Sequence, residues 1–239
     1  MKKIHNLLAL CIATTMLVSM FSFSATIFAE QAIETVEVSE LSIKLETLGV
    51  ITNEFELSDY VTRGQMASIA AKYAAIPVGT NSQVFDDVNP DHPYYGAIGA
   101  LYNMGVVNGD ENGNFKPNDY VTYDEALVFI INAIGHKPFA VREGGYPTGY
   151  HRIAIRYKML EDVSMSKGTD KAILTDIYKM LDKTLAAATV ITSYYGDDKI
   201  TYTLSDTETF LSQTYKIRRY VGIVTAVEGT RLITPVSNV

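Results

Sequence analysis

One side chain whose type and position could hold an anion is Arg63. It lies in the stretch Val61-Thr62-Arg63-Gly64-Gln65-Met66-Ala67, directly after a threonine that can cap a helix. A guanidinium grips a carboxylate through two parallel hydrogen bonds, which an ammonium cannot imitate. A cation gains little from the dipole at the start of its own helix, which favours the presence of another group that holds it. The sequence leaves three interpretations open: a bound anionic ligand, an ion pair with Asp59, or a solvated side chain.

Aromatic and glycine residues farther along the chain could complete such a site. Tyr94 and Tyr95 offer stacking surfaces for a ring-shaped ligand, and they could equally be core aromatics. Gly109 and Gly113 lie in the turn-rich stretch 108–117 and could let the backbone approach a ligand. Glycines in a turn need no ligand, so a structural role for both stays open.

Motifs for metal, cofactor or catalytic chemistry are not found. Residues 110–114 begin like a calcium loop with alternating oxygen ligands. Phe115 stands where that loop needs glycine, and Val121 stands where it needs a bidentate glutamate. The four histidines include no pair at helical ligand spacing, and no GxSxG, P-loop or GxGxxG motif is present. We predict no metal, no cofactor and no enzymatic activity.

The composition is that of a globular chain with an acidic balance. Of 239 residues, 47% are hydrophobic, and 20 Lys and Arg face 27 Asp and Glu, for a net charge of −7. A chain of this sign without a basic tail is poorly suited to nucleic acid, where neutralisation of phosphates dominates the affinity. The single cysteine excludes a disulfide framework.

Residues 1–29 have the pattern of a secretory signal peptide. Lys2 and Lys3 precede an apolar run over residues 7–23, and the small residues that follow predict cleavage after Ala29. An uncleaved membrane anchor is the alternative, because the run is just long enough to span a bilayer. No basic stop-transfer cluster follows the run, so we predict cleavage and no membrane association afterwards.

Three related stretches predict a repeated helical architecture. Val121-Thr122-Tyr123-Asp124-Glu125-Ala126-Leu127 resembles the stretch around Arg63, and residues 174–180 resemble it more weakly. This alignment puts Tyr123 and Asp176 where the first copy has Arg63, which makes Tyr123 the candidate contact residue of the second copy. Thr62 and Thr122 are expected N-caps, and Glu125 completes a capping box with Thr122.

A second helical stretch precedes each copy. The pattern predicts helices over about 41–48, ending at Gly49, over 94–104, ending at Gly105, and over 149–160. Each copy is therefore helix, irregular loop and capped helix. Since neither helix can bury its apolar face alone, the copies are expected to pack on one another in a mainly α fold.

Ordered landmarks along residues 85–134 resemble the S-layer homology repeat, whose pattern reads roughly FxDVxxxHWAxxAIxxLxxxGIIxGxxxGxFxPxxxITRAE. The matching residues are Phe85-Asp86-Asp87-Val88, His92, Ala97-Ile98, Leu101, Gly105-Val106-Val107-Asn108-Gly109, Phe115, Pro117 and Val121-Thr122. Pro93 replaces the family's tryptophan. Arg63 matches the arginine of the family's TRAE motif, and Asp87 is expected to be a structural turn residue.

The C-terminal part of the chain changes character after about residue 191. Residues 200–204, 220–227 and 231–234 are rich in β-branched and aromatic residues, which predicts two or three strands. This segment resembles the start of a small β-domain that follows the repeats in some clostridial-type surface proteins.

The resemblance implies three repeats packed as a pseudo-threefold helical module, followed by the short β-rich segment. The expected boundaries are a signal peptide, a partial first repeat, the best-matching second repeat, a divergent third repeat and the β-rich segment, at residues 1–29, 30–76, 77–138, 139–188 and 189–239. The implied function is non-covalent attachment of a secreted protein to the wall of a Gram-positive-type bacterium. The expected partners are an anionic secondary cell-wall polysaccharide and other surface-layer proteins. The alternative is a scaffold that has kept the repeat fold and lost sugar binding.

Overall fold

A computed structural model of the chain describes residues 39–51, 59–79, 83–195, 199–217, 226–228 and 231–233. The chain divides into two compact units, Met1–Glu56 and Leu57–Val239. The described part of the first unit is one helix, α1 at residues 39–47, with the turn that follows it. Gly49 takes φ +71° in that turn, as its predicted place at the helix end requires. The predicted signal peptide lies outside the described residues.

Six helices form most of the described part of the second unit, and two of them begin at the predicted threonine caps. Both caps form capping boxes; the box at Thr122 was predicted, and the one at Thr62 was not. The Thr62 side chain accepts from the N–H of Gln65, and the Gln65 side chain accepts from the N–H of Thr62. Thr122 and Glu125 form the same reciprocal pair. The helices are α2 (Arg63–Tyr73), α3 (Tyr95–Asn103), α4 (Tyr123–Ala133), α5 (Lys137–Arg142), α6 (Thr148–Arg156) and α7 (Leu174–Thr184).

The core of this unit contains the apolar faces that the helical periodicity predicts. On α2 these residues are Met66, Ile69, Ala70 and Tyr73, each at most 4% exposed. On α4 the predicted face is Ala126, Phe129, Ile130 and Ala133; the first three are buried, and Ala133 is only half-buried. Removing these side chains from water is the main favourable contribution to packing the helices together.

Three short extended stretches lie side by side at the starts of α2, α4 and α7, and we call them the axial segments: residues 59–62, 119–122 and 170–173. The N–H of Val61 donates to the carbonyl of Ala172, that of Ala172 to Val121, and that of Val121 to Val61, over 2.9–3.1 Å. These bonds close a ring in which each segment donates to one neighbour and accepts from the other. The ring brings the starts of α2, α4 and α7 together.

A second ring of backbone bonds fixes which residues are equivalent. The N–H groups that open the helices donate to aspartate carbonyls: Arg63 to Asp119, Tyr123 to Asp170 and Leu174 to Asp59. Leu174, and not Asp176, therefore stands in the third copy where Arg63 stands in the first. The sequence alignment of the third copy, which sets Thr175 against Thr62 and Thr122, is wrong because Thr175 lies inside α7 and is not its cap. The N-cap of α7 is Ile173, which makes no side-chain capping bond.

A β-rich segment follows the helices, as predicted. Strands β1 (Ala188–Tyr195) and β2 (Lys199–Thr209) pair antiparallel, and so do β3 (Ala226–Glu228) and β4 (Arg231–Ile233). A short helix, α8 (Phe210–Tyr215), follows β2 and was not predicted. The predicted strand 220–227 falls mostly outside the described residues.

Tyr73 of α2 anchors this segment to the helices. The rings of Tyr73 and Phe210 are 4.8 Å apart, and the Tyr215 hydroxyl donates to the Tyr73 carbonyl over 2.7 Å.

Taken together, these helices and strands make the protein mainly helical with a small C-terminal β segment. None of the helices in the described ranges has the length and apolar character needed to cross a membrane.

Candidate functional site

Arg63 is held at the junction between α2 and α4. Its Nε donates to the carbonyl of Phe115 over 2.8 Å, and its Nη1 lies 2.7 Å from Oε1 of Glu125. The guanidinium carbon lies 5.0 Å from the centroid of the Phe115 ring and 5.9 Å from that of Phe129. Only 15% of the side chain is exposed. The carboxylate that holds Arg63 is therefore Glu125 and not Asp59, and the cation is rigidly placed rather than solvated.

Glu125 has two roles at this junction. Its Oε1 pairs with Arg63, while its Oε2 accepts from the N–H of Thr122 over 2.9 Å as part of the capping box of α4. The Glu125 carboxylate therefore caps α4 and also holds the Arg63 guanidinium of the preceding copy in place. Charge-assisted hydrogen bonds of this kind are roughly twice as strong as neutral ones.

Tyr94 packs against the first turn of α2, next to Arg63. A Cβ on Gly64 would come within 2.7 Å of Cδ2 of Tyr94 and 3.4 Å of Cε1 of His92, so glycine is needed for these rings to approach the backbone. Tyr94 and Tyr95 are both half-buried. The structure therefore brings Arg63 and Tyr94 to one junction, with Tyr95 beside Tyr94 at the start of α3.

The loop that carries Phe115 also contains both candidate glycines. A Cβ on Gly109 would lie 2.8 Å from Cε1 of Phe85, so this glycine allows close packing. Gly113 has φ +76° and nothing within 4 Å of a built Cβ, so its backbone conformation explains the glycine. Asp87 accepts from the N–H groups of Phe115 and Lys116 over 2.9 and 2.6 Å, which confirms its predicted structural role.

Asp110, the first residue of the calcium-like stretch, is engaged by the chain's own donors. Its Oδ1 accepts from the N–H groups of Asn112 and Asn114, each over 2.9 Å, and its Oδ2 lies 2.8 Å from Nζ of Lys116. The Lys116 ammonium first, and the Asn114 N–H second, lower the pKa of Asp110 to about 2. Across the described ranges, no three His, Cys, Asp or Glu side chains cluster in a way that could hold a metal ion.

Tyr123 lies at a different junction, between the second and third copies. It is 3% exposed, and its hydroxyl donates to Oδ2 of Asp176 over 2.5 Å. The same oxygen accepts from the N–H of Ser164 over 3.0 Å. Burial raises the pKa of Tyr123 well above its usual range, and the bond to Asp176 raises it further. Tyr123 is therefore a neutral donor at pH 7 with its hydroxyl committed to the protein.

Three exposed side chains that the sequence analysis did not single out meet at the axial segments: Tyr60, Tyr120 and Lys171, which we call the axial cluster. Nζ of Lys171 lies 4.4 Å from the Tyr120 ring centroid and 5.6 Å from that of Tyr60. The two rings are 5.7 Å apart at an angle of 61°. The sequence signal was the repeated Asp-Tyr-Val-Thr at 59–62 and 119–122, with Asp170-Lys171 as the third member.

A family model matches part of the chain. Residues 84–127 match the S-layer homology domain. This stretch includes α3, the loop 108–117 and the first turn of α4. It thus contains Tyr94, Phe115 and Glu125, which surround Arg63.

Curated relatives match a larger share of the chain. The middle cell wall protein of Brevibacillus brevis is 26% identical over 209 residues, which are 83% of this chain and 19% of that protein. The surface layer protein of Brevibacillus choshinensis is 26% identical over 230 residues, 91% of this chain and 20% of that protein. The cell surface protein of Thermoanaerobacter kivui is 31% identical over 109 residues, which are 44% of this chain and 14% of that protein. The chain spans about a fifth of the length of the two Brevibacillus relatives.

Proposed function

We propose that the chain, whose residues 84–127 match the S-layer homology domain, attaches a secreted protein non-covalently to the bacterial cell wall. The proposed ligand is an anionic secondary cell-wall polysaccharide, with other surface-layer proteins as a second class of partner. The domain match is the observation that carries the proposal. The cell wall and surface layer relatives support a location at the cell surface and a non-catalytic role.

We extend the proposal to three repeats, although the family match covers one of them. The support is the ring of backbone bonds, which places Val61, Val121 and Ala172 in equivalent positions. On this basis the proposed divisions remain a first repeat over 30–76, a second over 77–138, a third over 139–188 and the β-rich segment over 189–239.

The proposed wall-binding surface is the junction that contains Arg63, Tyr94 and Tyr95. A cation fixed by Phe115 and Glu125 has lost its conformational freedom before any ligand arrives, so binding costs less side-chain entropy. The half-buried Tyr94 next to it supplies ring surface for a sugar, and Tyr95 at the start of α3 is proposed to extend that surface. The loop with Gly109 and Gly113 is proposed to border this surface, and Tyr123 is proposed as the counterpart at the next junction.

Sedimentation with purified cell walls tests the proposal. The secreted chain should pellet with intact walls and stay in solution with walls from which the secondary polysaccharide has been extracted. Arg63→Ala should weaken binding roughly ten- to a hundredfold, the loss expected for one charge-assisted pair. Arg156→Ala, at an exposed pair with Glu143, is the matched control and should bind normally. Binding should be measured at a temperature where circular dichroism shows both variants fully folded. Equal pelleting of the two variants would refute the Arg63 surface.

A scaffold without sugar binding is the second candidate. It is favoured by the internal use of the site residues, because Arg63 pairs with Glu125 and the Tyr123 hydroxyl is committed to Asp176. On this reading the intact chain would not pellet with walls at all, with or without the secondary polysaccharide.

A further inference from the structure

The hairpin formed by α5 and α6 is a basic stretch in an acidic chain. Residues 137–158, which we call the basic hairpin, contain five Lys and Arg and a single acidic residue, Glu143. The whole chain has 20 Lys and Arg against 27 Asp and Glu, so its acidic excess lies entirely outside this stretch. The basic hairpin therefore carries charge opposite to that of the remainder of the chain, and the two attract each other when they belong to different molecules.

Two arginines of the basic hairpin are exposed and form no ion pair with any residue that the structure describes: Arg142 and Arg152. The guanidinium carbon of Arg142 lies 4.8 Å from the centroid of the Phe139 ring, and Nη1 of Arg152 donates to the Glu143 carbonyl over 2.9 Å. Arg156 differs from them because the Glu143 carboxylate neutralises it. A ring face and a carbonyl restrain the other two guanidiniums without neutralising them, so both keep N–H donors for a carboxylate of another chain.

Large apolar side chains of the same hairpin are open to solvent. Val141 of α5 is 60% exposed, Ile155 of α6 is 67% exposed, and Tyr146 between the two helices is 59% exposed. Val141 adjoins Arg142 in sequence, and Ile155 follows Arg152 by about one helical turn. Arginine and tyrosine next to aliphatic side chains is the composition of protein–protein interfaces. An anionic polymer would be held by the charges alone, so the exposed apolar side chains favour a protein partner.

Exposed carboxylates lie on the loops 86–91 and 108–117, which we call the acidic loops. Asp86, Asp91 and Glu111 are exposed there, and no ion pair between described residues involves them. Asp87 accepts from two N–H groups of the loop 108–117, so the two loops are packed against each other. The chain therefore carries, in its described part, both a basic surface and acidic groups that fit it.

We propose that the basic hairpin of one molecule binds the acidic loops of a second molecule of this chain. Nζ of Lys137 donates to the carbonyl of Gly105 over 2.9 Å, so the hairpin begins close to the point where the chain leaves α3 toward the loop 108–117. A twofold axis between two molecules makes the contact twice and gives a closed dimer. This inference goes beyond the proposed wall attachment and does not depend on it.

Sedimentation velocity of the secreted chain, without wall material, tests the inference. At about 0.1 M salt, where the Debye length is about 10 Å, a dimer should form as the protein concentration rises, and about 1 M salt should dissociate it. Arg142→Glu combined with Arg152→Glu should raise the Kd of the dimer at least about tenfold, since each reversal replaces an attraction by a repulsion. Ile155→Asp should raise the Kd as well, because it adds a negative charge to the hairpin.

Reversing the charges on both surfaces gives a sharper test. The variant with Arg142→Glu and Arg152→Glu, and the variant with Asp86→Lys, Asp91→Lys and Glu111→Lys, should each be monomeric alone. Mixed in equal amounts, the two variants should form a heterodimer, because each hairpin then meets loops of opposite charge.

Lys72→Glu combined with Lys167→Glu is the matched control. It reverses two exposed charges outside the hairpin and should dimerise like the unaltered chain. Thermal melting should show that every variant folds. A chain that stays monomeric up to about 1 mM, a dimer that survives about 1 M salt, or a mixture of the two charge-reversed variants that does not associate would overturn the inference.

The outcomes also separate this inference from the wall-attachment proposal. If the unaltered chain is monomeric and the Arg142→Glu and Arg152→Glu variant no longer pellets with walls, the hairpin serves the wall polymer and the dimer is refuted. If the unaltered chain dimerises and does not pellet, the dimer stands and the attachment proposal fails.

Discussion

Arg63 and Glu125 lie in the first turns of two successive capped helices, and their ion pair closes at 2.7 Å between Nη1 and Oε1. The pair links α2 to α4. Its two residues lie far apart in sequence, so the local patterns that predict each helix do not predict the pair. Because Glu125 also caps α4, the orientation of one helix and the start of the next depend on the same carboxylate.

Arg63→Ala should lower the free energy of unfolding. The change removes the bond to the Phe115 carbonyl, the pair with Glu125 and the contact with two rings. Hydrogen bonds to charged groups are worth about 1.5–3 kcal/mol, so we expect a loss of that order in urea denaturation. Arg156→Ala breaks a more exposed pair and should cost at most about 1 kcal/mol. Equal losses in the two variants would contradict this account.

Ile130→Asp should unfold the helical unit. The Ile130 side chain is fully buried, and a carboxylate there would have no partner. Ile155→Asp is the matched control, because that side chain on α6 is 67% exposed. Far-ultraviolet circular dichroism at 25 °C should show loss of helix in the first variant and an unchanged spectrum in the second. An intact melting transition for Ile130→Asp would mean that the buried face of α4 is assigned wrongly.

Stability should fall as the pH drops below about 6.5, in part because of His136. The residue is fully buried, and its Nε2 donates to the carbonyl of Ala188 over 2.9 Å, while its Nδ1 has no partner among the described residues. Burial lowers the pKa of His136 below its usual value, and the charge of Arg156 lowers it further.

The unfolded chain therefore takes up the proton more readily than the folded chain. Neutral His136 makes its full contribution to the free energy of unfolding when the pH is above the pKa that this residue has in the unfolded chain. That contribution is lost as the pH falls toward the lower pKa in the folded chain, by at most about 1.4 kcal/mol per pH unit. Melting temperatures from pH 7.5 to 5 should fall less steeply for His136→Gln, whose amide can still donate to Ala188. Parallel slopes for the two proteins would contradict the assignment.

The secreted protein should begin at Glu30. Cleavage after Ala29 follows from the apolar run and the small residues behind it. Mass spectrometry of the wall fraction should find the peptide that starts at Glu30. Ala29→Phe should block processing, and Ala32→Phe, just beyond the cleavage point, should not. An intact Met1 in the wall fraction would support the anchor alternative.

Local patterns in the sequence were sufficient to predict the helices that have a clear cap or a terminal glycine. The threonine caps at Thr62 and Thr122 and the terminal glycines Gly49 and Gly105 all behave as predicted. These signals depend on a few adjacent residues, so they can be read without knowledge of the packing. The short helices α5 and α8 were missed, because six residues carry too little periodicity to distinguish a helix from a loop.

The surroundings of Arg63 could be predicted only in part. Its place after the cap Thr62 was predicted, but its partner Glu125 was not, because the pairing depends on how two helices pack. The predicted alignment of the third copy was wrong because it set Thr175 against the threonine caps. In the structure the equivalent residues are the aspartates before each helix, whose carbonyls accept from the N–H groups that open the helices. Aligning Asp59, Asp119 and Asp170 would have shown the register and would have pointed to the axial cluster.

The ring of backbone bonds among Val61, Val121 and Ala172 has a consequence for how the chain reaches its native state. A pair of axial segments without the third makes one bond of each ring and leaves the other two bonds of each ring unmade, so intermediates with two segments gain only part of the stabilisation. The bond from Val61 to Ala172 also closes a loop that encloses the whole second copy, which makes the nucleus non-local and folding correspondingly slow. The helices α2 to α7 should therefore fold as one cooperative unit, and a fragment that ends before residue 170 should be less stable than the full chain.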